Sequence, residues 1–351
     1  MKALYYPFIL LLSGTLGLSG TISPDTLETI ALRQSIEDLS KTYPDTYNGF
    51  LDELAQWETK LPGIREELAN GNQTAKKQAQ IFQEFKRRAL LANPLLDFDK
   101  LLLIKRKPLG DPRLAKNKRG LVEFHGVPRQ SSWQTYKIAN MLDYENEIAV
   151  LSALRDEPKL NTLFNPEYTG LLSDIEVHWD AGRIAFSMVN PEGRLHLFEI
   201  NADGTDLKQI SPDCEADDVD YLEPLYLPNG NLMFLSSAAF QGVPCNAGIK
   251  VAMSYVMERD SGNIRQLTFE QDHNYTPTVM NDGRILYLRW EYTDIPHVWG
   301  RYLFTMNPDG TGQRALYGSG EYWPNSTFFA RSIPGDPRKL VGIVTGHHEG
   351  R

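Results

Sequence analysis

The chain has 351 residues, 41% of them hydrophobic and 23% charged, with a formal net charge of -9. Such a length holds one large domain or two medium ones, and such a balance excludes a disordered chain and a multi-span membrane protein. The acidic excess argues against nucleic acid or an anionic membrane as the main partner, because the long-range electrostatic term would be repulsive.

In chain order the first element is a leader. Lys2 precedes an uncharged run from Ala3 to Leu18, and the small residues Ser19, Gly20 and Thr21 follow. This is the order of a secretory signal. Residues 1–21 are therefore expected to be a signal peptide and the mature protein periplasmic or secreted, with an uncleaved anchor as the alternative and no other membrane span. In an oxidising compartment Cys214 and Cys245 either form a disulfide or stay thiols.

Residues 22–97 are expected to form an α-helical segment. Ser23-Pro24-Asp25 reads as a helix start, with a hydroxyl cap, a proline at the first helical position and an acidic residue against the dipole. A second helix is expected from Tyr47 to Leu61, broken or restarted at Pro62-Gly63, and a third from Gln73 to Leu91, ended by Asn93-Pro94. Lys100 to Lys105 is a short apolar run with charged ends, expected to be a buried strand. The basic stretch from Lys105 to Arg119 reads as a solvated loop, and Glu147 to Leu151 as another strand.

From about residue 147 the pattern becomes a repeat. Gly182, Gly230 and Gly283 each close a first hairpin, in Asp-Ala-Gly, Pro-Asn-Gly and Asn-Asp-Gly contexts, at spacings of 48 and 53 residues. Each unit reads as four short strands joined by glycine turns that need positive φ. A repeat of this length with four strands is a propeller blade. Residues 98–351 are thus expected to form a β-propeller, giving a mainly β fold behind a small helical segment. About four blades can be counted and a fifth begins near Trp323-Pro324, fewer than the roughly six to eight of a closed ring, so the propeller is expected to be incomplete at its C-terminal end.

The turn Asn307-Pro308-Asp309-Gly310-Thr311-Gly312 and its counterpart Asn201-Ala202-Asp203-Gly204-Thr205-Asp206 resemble the WD40-like repeats of TolB-type propellers. Longer stretches resemble the middle propeller region of the hydrazine synthase alpha subunit family: Ala92 to Phe98, Phe240 to Cys245, Arg289 to Asp294 and Tyr322 to Ser326. The likeness runs over roughly residues 90 to 351, and it implies a longer full-length protein. It also implies haem c or a metal ion as a cofactor, although the chain has no C-x-x-C-H and its residues alone make no cofactor evident.

Candidate site residues follow from position and chemistry. Asp272 and His273 precede the third repeat, and Trp290, Glu291, Tyr292, Asp294 and His297 interrupt it as a polar, aromatic insertion, the kind of loop on which propellers build ligand-facing surfaces. Interblade packing is the alternative for the aromatic residues. Cys245, in a Gly-Val-Pro-Cys-Asn loop, and the adjacent His347 and His348 are the candidate metal ligands. The carboxylates Asp213, Glu215, Asp217, Asp218 and Asp220 are read as one solvated acidic loop. No P-loop, nucleophile elbow or Rossmann fingerprint occurs. The expected function is an exported binding or scaffold module with a protein or small-molecule ligand at the channel mouth, the alternative being part of a haem- or metal-dependent oxidoreductase.

Overall fold

The computed structural model describes residues 22–109, 144–213, 219–243, 246–291, 300–318 and 326–344. Residues 1–21, Cys214, Cys245, Tyr292, Asp294, His297, His347 and His348 lie outside them. The chain divides into two compact units, one of residues 1–6, 104–148 and 162–351, the other of residues 7–103 and 149–161.

The helical unit contains α1 (Ile30–Thr42), α2 (Pro44–Tyr47), α3 (Phe50–Ala69) and α4 (Gln73–Leu91). Their apolar faces meet in one core that includes Leu32, Ile36, Leu54, Leu61, Ile64, Phe82 and Phe85. Two details depart from the sequence reading. Ser23-Pro24-Asp25 opens only a single 3-10 turn, Pro24–Leu27, without a side-chain cap. Helix α3 passes through Pro62 unbroken, because Leu61 and Ile64 on either side of the proline are both buried in the core and hold the two halves in line. Helix α4 starts where Asn72 Oδ1 accepts the backbone N–H groups of Thr74 and Ala75.

Strands β1 (Lys100–Pro108), β2 (Tyr144–Ser152) and β3 (Lys159–Phe164) form a three-stranded sheet, through whose strands the division between units runs. Leu101 to Ile104 in β1 are only half-buried, against expectation, and the strand takes in the start of the basic stretch to Pro108.

The larger unit then repeats itself. Strands β4 (Leu172–Val177), β5 (Arg183–Val189), β6 (Leu195–Asn201) and β7 (Lys208–Gln209) form the first four-stranded antiparallel sheet in simple chain order. The second contains β8 (Tyr221–Tyr226), β9 (Leu232–Ser236), β12 (Met253–Met257) and β13 (Ile264–Gln266), with the small hairpin β10 (Gly242–Val243) and β11 (Asn246–Lys250) inserted between its middle strands. The third contains β14 (Asn274–Val279), β15 (Ile285–Trp290), β16 (Arg301–Met306) and β17 (Arg314–Tyr317), and a two-stranded sheet of β18 (Thr327–Ser332) and β19 (Leu340–Val344) follows. The innermost strands β4, β8, β14 and β18 contact one another in sequence, and an apolar core runs continuously between the sheets through Leu197, Phe234, Tyr275, Leu288 and Phe328. Sheets of four antiparallel strands that meander outward from neighbouring first strands are propeller blades.

Each first strand carries the same irregularity. Its register slips over two residues, Asp174-Ile175, Glu223-Pro224, Thr276-Pro277 and Phe329-Ala330. The leading residue of each pair is left-handed, with φ of 55°, 50°, 45° and 51°. A bulge leaves its residues out of the ladder, so proline, which has no N–H to donate, is tolerated there in two of the four blades. Three residues before the first three bulges, Leu171, Asp220 and His273 each accept a backbone N–H from the far end of the second strand, at Val189, Ser237 and Trp290. The repeat is therefore geometric as well as chemical. One expected turn is shifted: the left-handed position of the first hairpin belongs to Ala181 at φ 58°, not to Gly182, whereas Gly230 and Gly283 are left-handed as read.

Candidate functional site

The two ends of each blade differ. The hairpins at Asp180–Gly182, Asn229-Gly230 and Asp282-Gly283 lie at one end, and the connections that lead into each first strand lie at the other, together with the turns between second and third strands.

At the connection end of the second and third blades, four of the sequence-selected residues come together. The backbone N–H of Trp290 donates to the His273 carbonyl at 3.0 Å, and that of Glu291 donates to the Gly300 carbonyl at 2.6 Å. The His273 and Trp290 rings lie parallel, with centroids 6.4 Å apart and planes 6° from one another. The Arg301 guanidinium covers the Trp290 ring at 4.3 Å, a cation–π contact strengthened by burial. Arg289 is ion-paired with Glu270 at 3.2 Å and with Glu291 at 2.5 Å.

His273 has a clear local task. Its Nδ1 accepts the backbone N–H of Ala252 at 3.0 Å, at the start of the third strand of the preceding blade. Asp220 does the same one blade earlier, where its carboxylate accepts the Leu195 N–H at 3.1 Å. The two side chains are equivalent interblade staples. Complete burial, with the charge of Arg301 adding to it, drives the His273 imidazole down to about 3, so with Nδ1 accepting, the neutral ring carries its proton on Nε2. Asp220 is thus no part of a solvated acidic loop: it is 4% exposed, and its pKa is raised by burial against the pull of Lys250 and Arg194. Charge counting along the loop missed this because the strand begins one residue later and draws Asp220 into the interface.

Asp272 is different. It is fully buried, and among the described residues neither carboxylate oxygen has a hydrogen-bond partner. Burial pushes its carboxyl up to about 7, with the nearby Arg301 opposing and Glu291 adding to the rise. The second buried oxygen of Glu270, Oε2, also lacks a donor. Glu291, raised by burial, stands at the solvent side with its side chain 20% exposed. The cluster therefore holds three carboxylates, Glu270, Asp272 and Glu291, against two guanidiniums, Arg289 and Arg301. Buried polar atoms are nearly always satisfied in folded proteins, and among the described residues these oxygens of Asp272 and Glu270 have no hydrogen bond.

A second buried acid, missed in the sequence, lies on the first strands. Glu223 Oε2 accepts the Thr276 N–H of the next bulge at 2.5 Å, its own N–H donates to Ser187 Oγ at 3.1 Å, and Oε1 has no partner among the described residues. Burial raises its carboxyl to about 8, and the Asp174 carboxylate of the preceding bulge adds to that rise. Only the Glu-Pro dipeptide at the start of a repeat hinted at it.

Of the remaining candidates, Tyr292, Asp294, His297, Cys245, His347 and His348 fall outside the described residues. Among the described residues no group of three or more His, Cys, Asp or Glu side chains is placed to hold a metal ion. The three described imidazoles are engaged: His178 with Asp180 and Arg183, His196 with Ser211, and His273 with Ala252. These residues do not build a haem or metal site, and such a cofactor is attached to the chain by resemblance alone. Among the described residues no helix is long and apolar enough to cross a membrane.

No family model and no curated protein sequence matches the chain. Solved structures do. Hydrazine synthase of Kuenenia stuttgartiensis is similar over 66% of this chain and 33% of its own, at 16% identity and a TM-score of 0.46. A putative TolB from Agrobacterium tumefaciens is similar over 57% of this chain and 64% of its own, at 18% identity and a TM-score of 0.43. An oligogalacturonate lyase from Vibrio parahaemolyticus is similar over 67% of this chain and 57% of its own, at 14% identity and a TM-score of 0.40. The chain thus spans about a third of the hydrazine synthase chain that it matches. By the order of its strands, its repeated bulges and the chemistry of its turns, the chain folds into blades of a β-propeller.

Proposed function

We propose that the chain is an exported binding or scaffold module of a larger protein, which holds a protein or small-molecule ligand at the connection end of its blades. The observation that carries this reading is Asp272: a carboxylate taken wholly out of water, with no hydrogen-bond donor among the described residues, at the end of the blades where propellers present their loops. Nothing about the staples or bulges requires an acid there, since His273 and Asp220 already close the interblade contacts. The leader pattern from Lys2 to Thr21 supports export to the periplasm or beyond.

The test is site-directed crosslinking in cells. A photoreactive residue is placed at Phe269, 76% exposed at the connection end, or at Trp179, 54% exposed at the hairpin end. The expected result is a discrete adduct from position 269 in the periplasmic fraction and none from position 179. Adducts from neither position, or only from 179, remove the reading.

A further inference from the structure

The sequence contains three Asn-Gly pairs, Asn48-Gly49, Asn70-Gly71 and Asn229-Gly230, and all three are exposed. In such a pair the backbone nitrogen of the glycine can attack the side-chain carbonyl of the asparagine, because no Cβ on the glycine stands in the way. The three pairs differ in whether that nitrogen is already engaged. Gly71 N–H donates to the Leu68 carbonyl at 3.0 Å, and Asn70 and Asn72 on either side donate to the Glu66 and Glu67 carbonyls of α3. Gly230 N–H donates to the Leu227 carbonyl at 3.0 Å, and the Asn229 side chain is itself held, its Oδ1 accepting the Asn231 N–H at 3.1 Å. Among the described residues the Gly49 N–H has no hydrogen bond, and neither has the side chain of Asn48. Asn48, at φ -57° and ψ 122°, has to turn about its Cα–C bond before a ring can close. Gly49, at φ 86° with open space where a Cβ would stand, yields to that turn, and no hydrogen bond of the two reacting groups has to break first.

We propose that Asn48 is a modification site of this protein, which loses its side-chain amide by cyclising onto Gly49 and ends as isoaspartate or aspartate. The Gly49 nitrogen gives up its proton and forms a bond to Cγ of Asn48, the Cγ–Nδ2 bond breaks, and Nδ2 leaves with that proton as ammonia. One water then opens the resulting succinimide. Opening at the main-chain carbonyl leaves isoaspartate and opening at Cγ leaves aspartate, with nothing oxidised or reduced and water as the sole co-reactant. Either product places a carboxylate just ahead of α3, whose cap residue Gly49 has no side chain to offer, where the helix dipole favours negative charge. Isoaspartate also adds a methylene to the main chain beside Tyr47, which is 2% exposed and fixed by its hydroxyl to the Ala89 carbonyl at 3.0 Å. The site lies in the helical unit, and its chemistry is independent of the binding role proposed above.

The test is mass-spectrometric peptide mapping of the whole chain after timed incubation at mildly alkaline pH, once folded and once in urea, with isoaspartate counted by its enzymatic methylation. In the folded chain Asn48 is expected to deamidate at least about fivefold faster than Asn70 or Asn229, because each of those glycines must first break a backbone hydrogen bond. In urea the three rates are expected to draw together to within about twofold, because the bonds that separate them are gone. No reaction at Asn48, equal rates in the folded chain, or a faster reaction at Asn70 or Asn229 overturns the proposal. So does a lead of Asn48 that persists unchanged in urea, which would trace it to the flanking sequence rather than to the free glycine nitrogen.

Discussion

The hairpin end and the connection end of the propeller each bury acidic side chains among arginines, yet they treat them in opposite ways. At the hairpin end Glu199, 1% exposed, accepts the Tyr226 hydroxyl at 2.8 Å and the Arg259 guanidinium at 2.8 and 2.9 Å, with Arg183 at 3.6 Å and Lys208 at 3.7 Å. Both of its oxygens are used, and the Tyr226 hydroxyl is held un-ionised, first by burial and then by the carboxylate beside it. At the connection end Asp272 is as deeply buried, and among the described residues neither oxygen is used. A satisfied buried network fixes one arrangement of two blades, whereas an unsatisfied one stores a cost that only a further donor relieves. The first belongs to the fold, and the second is the feature on which the proposed binding role rests.

The comparison is broken most directly at Glu199. E199A leaves the Tyr226 hydroxyl and the Arg259 guanidinium facing an apolar gap, and the expected loss is about 3–5 kcal/mol of stability, the cost of removing one partner from a buried pair. Urea unfolding of E199A should show it. A loss under about 1 kcal/mol would mean that the hairpin-end network is not the latch described.

Asp272 should behave in the reverse sense. Its folded-state pKa, about 7, lies above the ordinary value of 3.8, so the folded chain holds this proton more tightly than the unfolded chain does. Stability at this position is therefore lost as pH rises from about 4 to 7, and the penalty is complete above 7. D272N removes the penalty. Its stability relative to the unaltered chain is expected to be near zero at pH 4 and to grow to a gain of ~1–3 kcal/mol at pH 8. A pH-independent difference, or a loss at pH 8, would show that Asp272 is satisfied after all.

How much of this was legible in the sequence follows from the range of the forces involved. Turn chemistry is local, so Asn229-Gly230, Asp282-Gly283 and the Asn-x-Asp-Gly-Thr turns gave the blades and their spacing. Asp203 and Asp309 each accept both the backbone N–H and the hydroxyl of the threonine two residues on, an interaction closed within four residues. Asp272, His273, Trp290 and Glu291 were singled out as candidates because a polar insertion into an apolar repeat stands out, and the structure brings them together. Their separate roles were not legible. Whether His273 is a ligand or a staple depends on Ala252, 21 residues away, and the burial of Asp220 and Glu223 depends on strands of other blades. The unbroken passage of α3 through Pro62 and the left-handed Ala181 show tertiary packing overriding a local preference.

The smallest expected effects sharpen the hairpin end itself. Gly230 is left-handed at φ 86° with open space where a Cβ would stand, so G230A meets only the backbone penalty, about 1 kcal/mol. Gly204 has the same φ of 86°, but a Cβ there would sit 2.7 Å from the Leu163 carbonyl oxygen, a backbone atom that cannot rotate away. G204A should therefore cost more than G230A by roughly 1–2 kcal/mol, the order of a strained, overpacked contact. Chemical denaturation of the two variants side by side measures the difference. Equal losses would mean that the β3 segment at Leu163 yields to the turn, and that this end of the first blade is set by its own hairpin rather than by the neighbouring strand.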